Sequence, residues 1–345
     1  MIRKLLRAKL NRSLRRDASC KESPLSLLPQ GAKILIAVSG GQDSLCLAQL
    51  LLLVQPKWQW QLAIAHCDHQ WRPDSTANAQ HVQKIAEGWG LPFYLRTAQT
   101  PLRNEAEART WRYAMLVEMA EVAACAYIVT GHTQSDRAET VLYNLMRGSG
   151  ADGLASLRWR RSLTPNIQLV RPLLDISRDQ TAQFCQEMAL PIWLDSTNDS
   201  LTYRRNRIRQ ELIPYLCQHF NPQLEKALAQ TAEILQEDVA YLEQQAAQFW
   251  HNMPIEFHQD VNLEAKSGED FPPRVDRVRL QAQPIALQRR IIRQFLNQHL
   301  PHQTNFDQIE KFMHLIAAQN RTRSELLACG IFAEVEHPWI LLKQE

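Results

Sequence analysis

Six consecutive residues, Ser39-Gly40-Gly41-Gln42-Asp43-Ser44, combine two glycines, two hydroxyls and a carboxylate. Two glycines permit a tight turn whose amide N–H groups converge, the serines add hydroxyl donors, and a helix starting there aims its positive end at the same point. Phosphate is the natural guest. The stretch lacks the lysine of a Walker A loop and the spacing of the dinucleotide fingerprint, so neither of the commonest nucleotide loops is present. Asp43 suits a Mg²⁺ ion held against phosphates, and equally suits the cap of a helix.

Downstream, His132, Asp136 and Glu139 stand four and three residues apart, which puts them on one helical face if a helix begins near Thr133. Two carboxylates and an imidazole can anchor a cationic amine, take a proton from it or hold Mg²⁺; acids also simply decorate the positive end of a helix. His66, Asp68 and His69 have the chemistry of zinc ligands, but neighbours on a strand end cannot all point one way, and no further ligand set is evident beside them. Arg109 and Arg112 share a helical face. Arg204, Arg205, Arg207 and Arg209 cluster beside Tyr203 and Asn206, and Arg158-Trp159-Arg160-Arg161 repeats the mixture. Such mixtures suit phosphate contact and base stacking on single-stranded RNA, with solvated faces as the plainer reading.

The elements that must position these residues alternate. Strand-like runs at Ile34 to Val38, Gln61 to His66, Phe93 to Leu95 and Ala126 to Thr130 are followed by helical patterns at Asp43 to Val54, Ser75 to Trp89, Asn104 to Ala124 and Asp136 to Met146. This alternation predicts an α/β fold, a parallel sheet with helices on both faces and ligands beyond the carboxyl ends of the strands. After Pro222 the pattern turns mainly helical: Gln223 to Trp250, then Ile285 to Leu300 and Asn305 to Gln319, with a strand pair in Gly330 to Lys343 and a long loop over Ile255 to Pro284. The expected organisation is a basic N-terminal extension (1–30), a catalytic domain (31–217) and a mainly helical C-terminal domain (218–345).

Composition excludes several classes. Of 345 residues, 45% are hydrophobic and 22% charged, which argues against disorder. The longest predominantly apolar run, Leu45 to Val54, is about half of the ~20 residues that a bilayer-spanning helix needs. Net charge is only +3, yet 29 of the 39 basic residues are arginine, the side chain that forks onto phosphate and stacks on rings. Seven scattered cysteines without a C-x-x-C argue for a reducing compartment and against a zinc knuckle or iron–sulfur cluster. The basic N-terminus has no secretory apolar core; a solvated helix, an RNA-touching arm and an organelle transit segment are its three readings.

The S-G-G-x-D-S loop resembles that of the PP-loop ATP pyrophosphatases. Ala65 to Arg72, Glu107-Ala108-Arg109 with Arg112-Tyr113, Gly131 to Thr140, Arg147 to Gly150, Arg171 to Leu174, Asp195 to Asn198 and Tyr203 to Arg209 look like successive motifs of the tRNA(Ile)-lysidine synthases, in that family's order. Ser135 stands where a second consecutive Asp is usual and Arg137 where Gln is usual, and the chain is shorter at its C-terminus than longer members. The resemblance implies ATP and Mg²⁺ as cofactors, free L-lysine and a tRNA(Ile) with a CAU anticodon as partners, no membrane, cytoplasmic residence and a homodimer as candidate assembly. It implies that Ser39, Gly40, Gly41, Gln42, Asp43, Ser44 and Asp68 bind ATP and pyrophosphate, with Asp43 also the metal ligand. Asp43, His132, Asp136 and Glu139 are then catalytic, Asp136 and Glu139 hold lysine, and Arg109, Arg112, Arg204, Arg205 and Arg207 bind tRNA. A tRNA thiolase and a non-catalytic RNA-binding protein are the competing readings; the thiolase lacks its cysteine pair here.

Overall fold

A computed structural model describes residues 1–15, 26–194, 204–251 and 272–345, arranged as two compact units, 1–236 and 237–345. The Asp195 to Asn198 motif and Tyr203 lie outside the described residues.

The first unit runs α1 (Ile2–Leu14), β1 (Lys33–Ala37), α2 (Gln42–Trp58), β2 (Gln61–Asp68), α3 (Ser75–Gly88), β3 (Phe93–Thr97), α4 (Glu105–Val122), β4 (Tyr127–Thr130), α5 (Gln134–Met146) and α6 (Gly150–Leu154). It continues through β5 (Arg160–Ser162), β6 (Gln168–Val170), α7 (Arg178–Glu187), α8 (Arg204–Arg207), a widened π turn at Ile208–Leu212, α9 (Ile213–His219) and the start of α10 (Leu224–His251). The strand order is β3-β2-β1-β4-β6-β5, parallel throughout except for the antiparallel edge pair β5–β6. The expected parallel α/β sheet is therefore present, extended by two short strands that sequence periodicity did not reveal. Strands of three residues are too short to show a period.

Side chains that alternate along β1 serve opposite faces. Ile34 and Ile36 join the core of α1, α2, α3 and α7, whereas Leu35 packs with Leu116, Met119 and Ala120 of α4. Because β1 lies between β2 and β4, the chain leaves the sheet centre in both directions, and the crevice between the ends of β1 and β4 is the switch point where such sheets bind ligands.

Two expected boundaries shift. The basic N-terminus is an amphipathic helix whose Leu6, Leu10 and Leu14 are fully buried in the first core, each burial stabilising by about 1.5–3 kcal/mol. Lys9 also reaches the Asp175 carbonyl at 3.0 Å and Gln180 Oε1 at 2.9 Å. Residues 1–15 therefore belong to the first unit and are not a free extension. The end of that unit falls at Gln236 instead of 217, because Ile208, Ile213 and Leu228 pack with Ala138 and Leu142 of α5.

The second unit holds β7 (Arg274–Asp276), α11 (Arg277–Gln281), α12 (Ile285–His299), α13 (Phe306–Met313), β8 (Ile331–Glu336) and β9 (Trp339–Gln344). The expected strand pair forms as β8–β9, and β7 joins it on the other side of β9, out of the stretch expected to be loop. Its core gathers Phe249, Ile291, Phe295, Phe312 and Ile340.

Candidate active site

The loop after β1 has the geometry that its composition suggests. Gly40 takes a left-handed conformation at φ +86°, which favours glycine, and a Cβ there would also press on the Asn78 side-chain oxygen at 2.5 Å. The Ser39 amide donates to Ser44 Oγ at 3.2 Å, the Gly41 amide to Ser39 Oγ at 3.3 Å, and Ser44 Oγ to the Gly41 carbonyl at 2.8 Å. These hydroxyls hold the loop open around the first turn of α2, where amide donors and the helix dipole favour an anion. The Gln42 side chain donates to the Arg178 carbonyl and Thr181 Oγ1, both at 2.8 Å, and to Asp43 Oδ1 at 3.4 Å.

The loop after β4 faces it. Thr133 caps α5 in a capping box: one Asp136 oxygen, Oδ2, accepts from the Thr133 amide and hydroxyl, each at 2.8 Å. The other oxygen turns into the crevice. Asp136 is thus both the helix-decorating acid and a site carboxylate. Helix α5 begins at Gln134, so Asp136 and Glu139 share a helical face while His132 precedes the helix, its Nδ1 paired with Thr130 Oγ1 at 2.9 Å.

What joins the two loops is Arg178, at the first position of α7. Its guanidinium donates to Asp43 Oδ2 at 3.1 Å, to Asp136 Oδ1 at 3.2 Å and to Glu139 Oε1 at 3.5 Å. Glu139, buried to 1% exposure, also accepts from Arg209 Nε at 2.6 Å and from Arg205 Nε at 3.3 Å. Three carboxylates therefore meet three guanidiniums. Sequence reading missed Arg178, although a clue was available: a cation at the start of a helix opposes the dipole, so it needs a carboxylate elsewhere.

Charge states follow from these neighbours. Burial raises Asp136, but Arg178, His132 and Arg205 outweigh it and hold the carboxyl down to about 2. Burial raises Asp43 above its ordinary value, and nearby Asp136 adds to this against the pull of Arg178 and Thr181. His132 is held down to about 3, by burial first and then by Arg171, which leaves a neutral imidazole at pH 7.

The remaining predicted residues divide. His66 turns inward to the Val38 carbonyl at 2.8 Å, and Asp68 accepts from the Gln70 amide at 2.9 Å; among the described residues no cluster of His, Cys, Asp and Glu has the form of a metal site. Within the arginine cluster, Arg205 and Arg209, four apart, face Glu139. Arg204 and Arg207 face away, lining an apolar groove with Tyr143, Met146 and Tyr215, and Arg207 pairs with Glu211 at 3.1 Å. Arg109 stacks over Tyr113 at 5.5 Å, and Arg112 lies among the cations acting on His132.

Comparison with known proteins agrees with this geometry. Residues 11–216 match the PP-loop domain family. The tRNA(Ile)-lysidine synthase of Nostoc sp. (strain PCC 7120) is 57% identical over 90% of this chain and 91% of its own length, and that of Thermosynechococcus vestitus 50% identical over 91% and 87%. A chloroplastic tRNA(Ile)-lysidine synthase of Zygnema circumcarinatum is 34% identical over 83% and 75%. Among solved structures, the U34-tRNA thiolase NcsA from Methanococcus maripaludis superposes with a TM-score of 0.57 at 18% identity, covering 68% of this chain and 79% of that one, a likeness of fold alone. A PP-loop sheet carrying its anion loop at the switch point, in a chain so similar to these synthases along nine tenths of its length, belongs to the tRNA(Ile)-lysidine synthase family.

Proposed function

We propose that the chain is an ATP-dependent ligase that builds lysidine at the wobble cytidine of a tRNA(Ile) bearing the CAU anticodon. The observation that carries this reading is the facing of the Ser39–Ser44 anion loop and the Asp136–Glu139 pair across one crevice, bridged by Arg178. In the proposed first step the cytidine O2 attacks the α-phosphorus of ATP and pyrophosphate departs into the loop after β1. In the second, the lysine ε-amine, having lost one proton from its ammonium form, adds to C2 and AMP leaves with the former O2. Both steps need oriented reactants and pre-aimed charges more than covalent help from the protein.

Asp136 and Glu139 are the proposed lysine contacts. Because their charges are already balanced by arginines, an arriving ammonium displaces a guanidinium instead of filling an empty place. Neutral His132 adds no positive charge that would repel the arriving ammonium. Asp43 and Asp136 stand on either side of Arg178, and hard carboxylate oxygens beside a phosphate loop are the donor type that Mg²⁺ takes alongside nucleotide phosphates; the residues fit. The ion, when bound, would neutralise phosphate charge. Arg109, Arg112, Arg204 and Arg207 are the proposed tRNA contacts, whereas Arg205, also expected to touch tRNA, is held in the carboxylate cluster by Glu139; a homodimer and cytoplasmic residence belong to the same reading. No helix among the described residues is long and apolar enough to cross a membrane.

The test is incorporation of radiolabelled lysine into a CAU tRNA(Ile) transcript with and without ATP, beside a methionine tRNA. ATP-dependent label on the first alone is expected. Pyrophosphate release without label would move the search to another nucleophile.

A further inference from the structure

Beside the carboxylate cluster lies a second charged group of opposite character. Tyr113 of α4 has the Arg109 guanidinium 5.5 Å and the Arg161 guanidinium 5.2 Å from its ring centre, and the positive charge of Arg171 also acts on its hydroxyl. Arg171 is 3% exposed, and its Nη1 donates to the Arg158 carbonyl while its Nε is buried without a partner. Arg112 adds a further positive charge near the same phenol. Among the described residues no carboxylate forms an ion pair with any of these four arginines.

Four uncompensated guanidiniums around one phenol repel each other, and a buried N–H left unpaired costs about 1–3 kcal/mol, more when charged. Such an arrangement is stable in use only when an anion completes it. The fold gives that anion a way in: Arg171 closes the base directly after β6, while Arg112 on α4 and Arg161 on the edge strand β5 are exposed. All stand at the carboxyl end of the sheet, on the side of the crevice where Arg171 acts on His132.

We infer that Arg109, Arg112, Arg161 and Arg171, with the Tyr113 hydroxyl, form a phosphate site separate from the Ser39–Ser44 loop, whose guest is a phosphodiester of the RNA beside the target nucleotide. That guest rests on the tRNA-ligase reading. Planar guanidiniums fork onto phosphate oxygens, and a phenol supplies a neutral donor, so a singly charged phosphodiester fits better than a carboxylate peptide or an apolar ligand. The edge strand β5 would thereby turn the Arg158 to Arg161 stretch from a surface loop into part of the RNA path.

The experiment uses the full chain and a CAU anticodon stem–loop RNA, with Arg161→Gln as the principal variant because its side chain is exposed. Arg171→Gln is the second, used once its melting curve shows that it folds. Arg161→Gln is expected to weaken RNA binding about three- to tenfold and to lower the slope of log Kd against log salt by about 0.7–0.9, one phosphate contact, while the KM for ATP in pyrophosphate exchange stays unchanged. A raised KM for ATP with an unchanged RNA salt slope would assign the site to a nucleotide phosphate instead. Unchanged RNA binding and unchanged KM in both variants would overturn the site. If the parent protein fails to bind this RNA, the tRNA reading fails, and calorimetric titration with inorganic phosphate decides the site alone: weaker binding by Arg161→Gln supports it, equal binding refutes it.

Discussion

A Cβ atom on Gly131 would stand 2.8 Å from the carbonyl oxygen of Asp43 and 3.0 Å from the amide nitrogen of Ser44. The end of β4 thus lies in van der Waals contact with the first turn of α2, and the two halves of the site are registered by backbone packing before any side chain acts. At this position the need for glycine is steric, since backbone on the other side cannot yield as a flexible side chain could.

Gly131→Ala is therefore expected to push the two loops apart, destabilising the protein by about 1–3 kcal/mol and lowering ATP–pyrophosphate exchange much more than tRNA binding. Melting temperature together with exchange rate checks this. An alanine variant with parental exchange would show that the loops tolerate separation.

Arg178 holds Asp43 at 3.1 Å through its Nε and Asp136 at 3.2 Å through its Nη2. Arg178→Gln leaves three carboxylates with two cations, and we expect lysidine formation to drop about 10²-fold or more, as for other lost charge-positioning groups. Single-turnover label transfer measures it. Parental turnover would reduce Arg178 to a structural bystander.

The pH dependence of stability has a definite sign. His132 has a folded value near 3 against an ordinary 6.5, so its contribution is fully present above pH 6.5 and is lost as pH falls toward 3, while the unfolded chain takes up the proton. The slope from one such group approaches about 1.4 kcal/mol per pH unit. His132→Gln should flatten the loss of denaturant midpoint between pH 6.5 and 4; Asp136, at about 2 against 3.8, acts in the same direction at lower pH. Identical slopes in parent and variant would refute the assignment of a neutral imidazole.

Arg205 and Arg207 stand two residues apart yet should behave differently. Arg205 bonds Glu139 at 3.3 Å, whereas Arg207 is 63% exposed and paired only with Glu211 among the described residues. Arg205→Ala should lower kcat; Arg207→Ala should raise the KM for tRNA and change stability by no more than about 0.5 kcal/mol. Steady-state kinetics separates them, and a kcat defect confined to Arg207→Ala would reverse the assignment.

Leu10→Ala tests the docking of α1. A fully buried leucine in a packed core is worth about 2–5 kcal/mol on truncation to alanine, whereas a solvated arm would lose almost nothing. Guanidinium unfolding of the full chain distinguishes the two.

How far the sequence could be read follows from the range of the interactions. The Ser39–Ser44 turn and the βα alternation are legible because their hydrogen bonds and periodicities close within a few residues. Asp136 and Glu139 could be named as a pair for the same reason: one helical turn puts them on one face. The order of motifs likewise pointed to the family without any coordinates.

Only the tertiary structure decided what these residues face. Arg178 lies 135 residues from Asp43 in sequence, and no local rule connects them. The turning of Gln42 toward α7, the division of Arg205 and Arg209 from Arg204 and Arg207, and the burial of the N-terminal leucines each depend on which surface arrives opposite. Amphipathic spacing said that α1 has an apolar face; the sheet's packing determined that this face is covered. The chain thus determined its own turns, caps and chemistry-bearing residues, while long-range packing selected their partners and, through those partners, their charge states.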